Sequence, residues 1–163
     1  MNRLTSEKRA SIVRALAEGN SIRATARLTD TSKATVLKLL VEIGEFCSIY
    51  QDHAHRNLKC QRVEADEIWS FVGAKQKNAT KDGQGDLWTY TAICSESKLM
   101  VSYLVGARDH ANTFAFMKNV AFRLANRVQL TTDRLSWNVA AVEAAFGWNN
   151  WTSRRSSRST ERR

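Results

Sequence analysis

No stretch of this chain holds the roughly 20 consecutive apolar residues that a membrane span requires. Its opening, MNRLTSEKRA, runs straight into charged residues where a secretory leader would be apolar. Cysteine is scarce: Cys47, Cys60 and Cys94 form an odd, widely spaced set that offers no disulfide framework and suits a reducing compartment. All three are expected as buried thiols. The spacing of a structural zinc site is missing as well. In CSIYQDHAHRNLKC (47–60), His53 and His55 are separated by one residue and each cysteine stands alone, whereas zinc sites use closer cysteine pairs and wider histidine pairs. That segment reads instead as a helix-to-strand connector, with Cys47 and Tyr50 packed on the preceding helices. These absences exclude a membrane span and a disulfide-stapled scaffold, and the expectation is a soluble, cytoplasmic protein.

What is present is a chain of 163 residues, 43% hydrophobic, with a formal net charge of +9, enough for one core and a small appended domain. The charge is uneven. Residues 1–62 hold 11 Lys/Arg against 6 Asp/Glu, a net of +5, and residues 63–150 hold 9 against 9. The last 13 residues hold 5 Arg against one Glu, a net of +4. A basic first third beside a neutral middle suggests a nucleic-acid-binding module joined to a catalytic or folding core.

The first third has helical periodicity. TSEKRASIVRALAEG starts with Thr5 or Ser6 as cap and Glu7 in the first turn, repeats Ile12, Val13, Leu16 and Ala17 at helical spacing, and stops at Gly19. A short helix over about 22–29, a polar break TDTS, and a longer helix from Ser32 to Phe46 follow, with Ile22, Ala26, Val36, Leu39 and Leu40 facing inward. Two helices joined by a tight polar turn predict a helix-turn-helix. Its second helix would bring Ser32, Lys33, Thr35 and Lys38 to bases and phosphates of duplex DNA, while Arg23 and Arg27 clamp the backbone.

From residue 62 the period changes. RVEADEIWSFV, DLWTYTAICS and KLMVSYLVG predict three strands, the first two joined by the loop GAKQKNATKDGQG and the next two by the turn ESK. RDHANTFAFMKNVAFRLAN predicts a helix capped by Asp109, with Phe114, Met117, Val120, Ala121 and Leu124 as its core stripe, and RVQLTTD a fourth strand. The fold class expected is α/β (α+β): a helix-turn-helix bundle followed by an incomplete ribonuclease-H-like mixed sheet with helices.

Acids inside a strand of Val, Ile, Trp and Phe call for a cation, because ionised carboxylates are costly to desolvate unpaired. Asp66, on the first strand, and Asp133, at the end of the fourth, would lie side by side if those strands pair. Two such carboxylates suit a hard divalent ion, Mg2+ or Mn2+, and two ions roughly 3.5–4 Å apart can assist phosphodiester cleavage. By strand alternation Glu64 shares a face with Asp66, and Glu67 points to the other.

The segments DEIWSFVGAKQKN, GDLWTYTAI, VGARDHANTFAFM and RVQLTTD resemble the transposases of insertion sequence one over about residues 1–150. That resemblance implies a helix-turn-helix followed by a ribonuclease-H-like domain with a DDE triad that cuts and joins DNA. Asp66 of DEIW would be the first triad acid and Asp133 of TTD the second, with Lys75 and Lys77 on DNA phosphates near the cut. It implies magnesium or manganese as cofactor and the element's terminal inverted repeats, as double-stranded DNA, as partner, and it leaves homo-oligomerisation open. Trp69 and Trp88 are expected in core packing rather than as platforms for bases. The pattern departs after TTD, where Arg134 and LSWNVA replace the family's continuation before AVEAAFGWN resumes it. This departure and the Ser/Arg tail suggest small frame-shifting lesions in the gene. The family's third acid, a Glu, lies beyond Glu143 by this correspondence, and the only carboxylate of the tail is Glu161. The chain is therefore expected as a C-terminally truncated, inactive transposase, or as a DNA-binding remnant or repressor that occupies terminal repeats without cutting. The expected domains are 1–46 (helix-turn-helix), 47–61 (connector), 62–150 (catalytic, incomplete) and 151–163 (disordered Ser/Arg-rich tail).

Overall fold

The computed structural model describes residues 4–132, 136–147 and 151–155, with 136–140 and 151–155 described as backbone alone. The chain is mixed α/β and divides into two compact units, Met1–Ala54 and His55–Arg163. No helix among the described residues is long and apolar enough to cross a membrane.

The first unit is helical. Helix α1 (Ser6–Ala17) starts where the Thr5 hydroxyl accepts the Lys8 N–H at 3.2 Å, and it ends before Gly19, whose φ of +79° suits a residue without Cβ. Ser21 caps α2 (Ile22–Leu28) in the same way, and Ser32 caps α3 (Lys33–Ala54), its Oγ accepting the Thr35 N–H at 3.1 Å. Ile12, Ala26, Val36 and Leu39 form the buried cluster, with Leu4, Val13, Leu16, Ile22 and Ile43 packed against it. Leu40, expected inside, is exposed. It follows Leu39 by one residue, about 100° around the helix, so both cannot face one core.

Helix α3 corrects the boundary expected at Phe46. It continues to Ala54, so 47–54 is helix and not connector. The sequence CSIYQDHA holds neither Gly nor Pro to stop it, and the Phe46 and Tyr50 rings, one turn apart, stack at 6.4 Å. Cys47 and Tyr50, expected to pack on the bundle, are exposed.

The second unit is a five-stranded sheet of order β3-β2-β1-β4-β5, made of β1 (Arg62–Val72), β2 (Gly85–Cys94), β3 (Met100–Gly106), β4 (Val128–Thr132) and β5 (Trp151–Arg155). Strands β1, β2 and β3 form an antiparallel meander running from Val63 opposite Cys94 to Val72 opposite Gly85, with an irregularity at Ala92/Ile93. Strand β4 pairs parallel to β1, with Glu64 opposite Thr131, and β5 parallel to β4. Between β3 and β4 runs α4 (His110–Arg123), whose cap Asp109 accepts the Asn112 N–H at 2.8 Å, and after β4 comes α5 (Ser136–Phe146).

Period-2 alternation decides which side of the sheet is buried. Val63 and Ala65 of β1 and Tyr90, Ala92 and Cys94 of β2 share the core with Phe116, Met117 and Val120 of α4 and Ala141, Val142 and Phe146 of α5. The opposite face carries Ile68, Val72, Tyr103 and Val105, each at least 44% exposed. On α4, Met117 and Val120 are buried as expected, and Ala121 and Leu124 lie at the edge of the core. Phe114 is exposed, and Thr113 and Phe116 take the inner positions, the Phe116 ring lying 5.6 Å from that of Tyr90.

The tail expected to be disordered from residue 151 is corrected at its start, since Trp151–Arg155 pairs with Val128–Thr132. A strand ladder is built from backbone N–H and C=O groups, which a Ser/Arg-rich composition does not remove. The expectation for 156–163, Glu161 included, lies outside the described residues.

Candidate functional site

In the first unit, α2 and the start of α3 bring four of the expected DNA contacts to one shallow depression. Arg23, Arg27, Ser32 and Lys33 line it together with Asp30 and Thr31. The turn is held by polar contacts: Thr29 Oγ1 donates to the Thr25 carbonyl at 2.8 Å and lies 2.8 Å from Thr31 Oγ1, while Asp30 adopts a φ of +46°. Arg23, Arg27, Lys33 and Lys38 are exposed and able to meet phosphates. Ser32 and Thr35 are already in use, since their hydroxyls lie 2.8 Å apart and Ser32 also caps α3. A capping serine spends its acceptor on the helix, so its first role here is structural.

In the second unit, Asp66 lies near the middle of β1. Its side chain is exposed, and its Oδ1 accepts the N–H of Glu67 at 2.9 Å. Asp66 and Glu67 border a small cleft with Ala65, Tyr90, Phe116 and Thr132, the last residue of β4. Asp133, the second expected metal ligand, lies outside the described residues, as does Arg134. Glu64 accepts from Ser95 Oγ at 2.9 Å. Glu67 is taken by Arg108, whose Nε donates to Oε2 at 2.6 Å, with the Glu67 side chain 9% exposed. Glu143 is half-buried on α5, next to the buried Val142. Among the described residues no group of three His, Cys, Asp or Glu side chains converges to hold a metal ion.

The loop after β1 presents the two expected lysines. Lys75 precedes a single 3-10 turn, Gln76–Asn78, which contains Lys77, and both side chains are exposed. The loop is pinned to the base of β2, because Gln76 N–H donates to Asp86 Oδ1 at 3.0 Å and Asp86 N–H to Gln76 Oε1 at 3.4 Å. Gly85 makes this approach possible. A Cβ there would collide with Gln76 Oε1, and its φ of +135° suits glycine alone.

Trp69 and Trp88 face each other across β1 and β2, and they divide the expectation of core packing. Trp88 packs at the edge of the core, under the Arg108 guanidinium at 4.4 Å. Trp69 does not, being 40% exposed, with Phe71 47% exposed beside it at 5.7 Å and Lys75 Nζ 5.2 Å from its ring centre. The reason is position: the core takes in Val63 and Ala65 of β1 and Tyr90, Ala92 and Cys94 of β2, and both strands extend past it toward their connecting loop.

Three features escaped the reading of the sequence. Arg108 ties Glu67 to Trp88; no spacing signal marks such a contact, which joins residues 41 positions apart. Arg123, 5% exposed, donates from Nε to Asn119 Oδ1 at 2.7 Å, and Ser102 Oγ donates to the same oxygen at 2.8 Å, a buried polar brace between α4 and β3. Around the end of β2, Cys94 Sγ donates to Glu96 Oε2 at 3.4 Å and Arg62 Nε to Glu96 Oε1 at 3.0 Å. The Arg62 guanidinium holds the Glu96 carboxyl down to about 2, and burial is the main reason the Cys60 thiol is pushed up to about 12. No protein-family model matches this chain, and no curated protein sequence matches it.

Proposed function

We propose that the chain is a DNA-binding protein of the kind its sequence resembles, an insertion-sequence transposase acting on the ends of its element in the cytoplasm. The observation that carries the reading is the strand order β3-β2-β1-β4-β5, with three antiparallel strands, then a helix, then β4 parallel to β1. That order supports a ribonuclease-H-like sheet with Asp66 on its central strand and Thr132 across the cleft. The basic depression between α2 and α3 supports the helix-turn-helix and duplex DNA as partner. An exposed aspartate is a hard oxygen donor of the sort a divalent ion takes, so Asp66, with Asp133, would hold Mg2+ or Mn2+. When bound, such ions assist the attacking hydroxyl and neutralise charge on the leaving oxygen. Arg23, Arg27, Lys33 and Lys38 hold phosphates of the terminal repeat, and Lys75 and Lys77 those beside the cut.

A second reading, occupation of the repeats without cutting, is favoured by the state of the neighbouring acids. Glu67 is committed to Arg108 and Glu64 accepts from Ser95, so neither is arranged to complete a metal site with Asp66. One experiment separates the two. The protein is incubated with magnesium or manganese and a duplex carrying the element's end, and binding and nicking are read together. Nicking lost in Asp66→Ala establishes the enzyme, binding without nicking the remnant, and the absence of salt-sensitive binding to duplex refutes both.

A further inference from the structure

We infer that the outer ends of β1 and β2 form a stacking platform for unpaired DNA bases, built on Trp69 and Phe71. The inference rests on the reading of this chain as a DNA-handling protein and adds to it a second, single-stranded mode of contact. Trp69 and Phe71 lie on one face of β1 by strand alternation, their rings 5.7 Å apart, and both are exposed at 40% and 47%. Large aromatic rings left in water at the tip of a hairpin, away from the core formed around Val63, Ala65 and Tyr90, do not contribute to that core.

The charges around them select the occupant. Lys75 Nζ sits 5.2 Å from the Trp69 ring centre, Arg108 lies over Trp88 on the opposite strand, and Lys77 and Lys81 are exposed on the connecting loop. Of the acids nearby, Glu67 is neutralised by Arg108 and Asp86 is bound to the loop N–H of Gln76; Asp82 is exposed on the loop. Aromatic rings interleaved with cations match a nucleic-acid strand, whose bases stack on the rings while its phosphates meet Lys and Arg. The bases must be unpaired, because in a duplex their faces are covered by neighbouring pairs. Lys75 is no obstacle: a cation over an exposed ring is held weakly, and its flexible stem lets the ammonium move from the ring to a phosphate. Arg108, fixed between Glu67 and Trp88, keeps the Trp88 face closed, so the strand is received on the Trp69–Phe71 side. Trp69 shares its face of β1 with Glu67, two residues before it, while Asp66, three residues away, points through the opposite face, so the platform and the Asp66 carboxylate lie on different sides of the strand.

The full-length chain is titrated with a fluorescein-labelled 12-nucleotide oligothymidylate and, separately, with a blunt duplex of mixed sequence, by anisotropy at low and high salt. The oligothymidylate should bind and quench tryptophan emission. Trp69→Leu combined with Phe71→Leu should weaken single-strand binding about tenfold at both salt concentrations, because stacking, unlike phosphate contact, survives salt. Trp69→Phe, which retains a ring, should keep the affinity with a smaller quench. The inference is overturned if the wild-type protein does not bind the oligothymidylate, or if the double Leu variant, with unchanged circular dichroism, binds it as the wild type does. If the Leu variant is misfolded, a tenfold loss in Trp69→Phe counts against the platform and retained affinity supports it. Loss of duplex binding in Lys33→Ala/Lys38→Ala with single-strand binding intact supports two separate sites; absent duplex binding in the wild type beside intact oligothymidylate binding refutes the proposed function and leaves the platform standing.

Discussion

Asp66 and Glu67 are consecutive residues that point through opposite faces of one strand, linked by the Glu67 N–H to Asp66 Oδ1 hydrogen bond of 2.9 Å. Glu67 turns toward the helix-covered side and is locked to Arg108; Asp66 turns to the open side and is exposed. Two neighbouring acids thus differ in environment, one nearly covered and fixed in an ion pair, the other exposed.

Their substitutions should differ accordingly. Glu67→Gln removes the charge from a 2.6 Å contact in which the glutamate is 9% exposed, and should cost about 1–2 kcal/mol. Asp66→Asn keeps a carbonyl oxygen for the Glu67 N–H at an exposed position and should cost less than Glu67→Gln. Urea unfolding of both variants against the wild type checks this, and equal midpoint shifts would contradict it.

Duplex binding should follow the counterion rule. With Lys33 and Lys38 both on phosphates, Lys33→Ala/Lys38→Ala should lower the slope of log K against log salt by about 2 units. Unchanged slopes in a salt series would remove these lysines from the interface.

The thiols should sort by environment. Cys47 is exposed on α3, whereas Cys60 and Cys94 are buried. Burial, with Cys94 beside it, holds Cys60 at about 12 against the usual 9.0; at Cys94 burial pushes the thiol up, but hydrogen bonds from Ser97, Cys60 and the Glu96 backbone together bring it below its ordinary value. Iodoacetamide at mildly alkaline pH should modify one site in the native chain and three after unfolding, read by mass spectrometry. A Cys60 proton held more tightly in the folded state stabilises below pH 9, and that contribution is lost as pH rises toward 12. Cys60→Ala should therefore flatten the alkaline branch of the stability curve.

Glu96 works in the acid direction. The Arg62 contact lowers its carboxyl from 4.5 to about 2, so the stability it contributes is complete above pH 4.5 and disappears as pH falls toward 2. Arg62→Met should return the Glu96 titration, followed by carboxyl NMR shifts, toward 4.5. A midpoint that stays near 2 would assign the effect to other partners.

Local signals in the sequence carried much of this architecture. Caps at Thr5 and Asp109, helical spacing in the first third and the period-2 runs from Arg62 onward are written in neighbouring residues, and α1, α2 and β1 appear where those signals put them. What depended on the other side of a contact was not legible. Phe114 and Phe116 are two positions apart with the same chemistry, and the Tyr90 ring decides which is inside. Trp69 was expected in the core because tryptophan is buried on average; where the core ends along β1, after Ala65, is set by the elements that cover it from elsewhere in the chain. At the candidate site Asp66 stood out as an acid among apolar residues, but the capture of Glu67 by Arg108 lies 41 positions away and leaves no periodic trace.

The parallel pairing of β1 with β4 has a kinetic consequence. Strand β2 returns beside β1 after a 12-residue loop, and β3 beside β2 after a five-residue turn, but Glu64 meets Thr131 across 67 positions. Loop closure costs entropy that grows with length, and distant pairings lag behind local ones in folding. The meander should form early and the β1–β4 seam late, after α4 has docked. A chain caught midway already has Trp69, Phe71 and Lys75 on a formed hairpin, while the cleft between Asp66 and Thr132 does not yet exist. In time as well as in space, the surface inferred to hold bases is independent of the acids beside it.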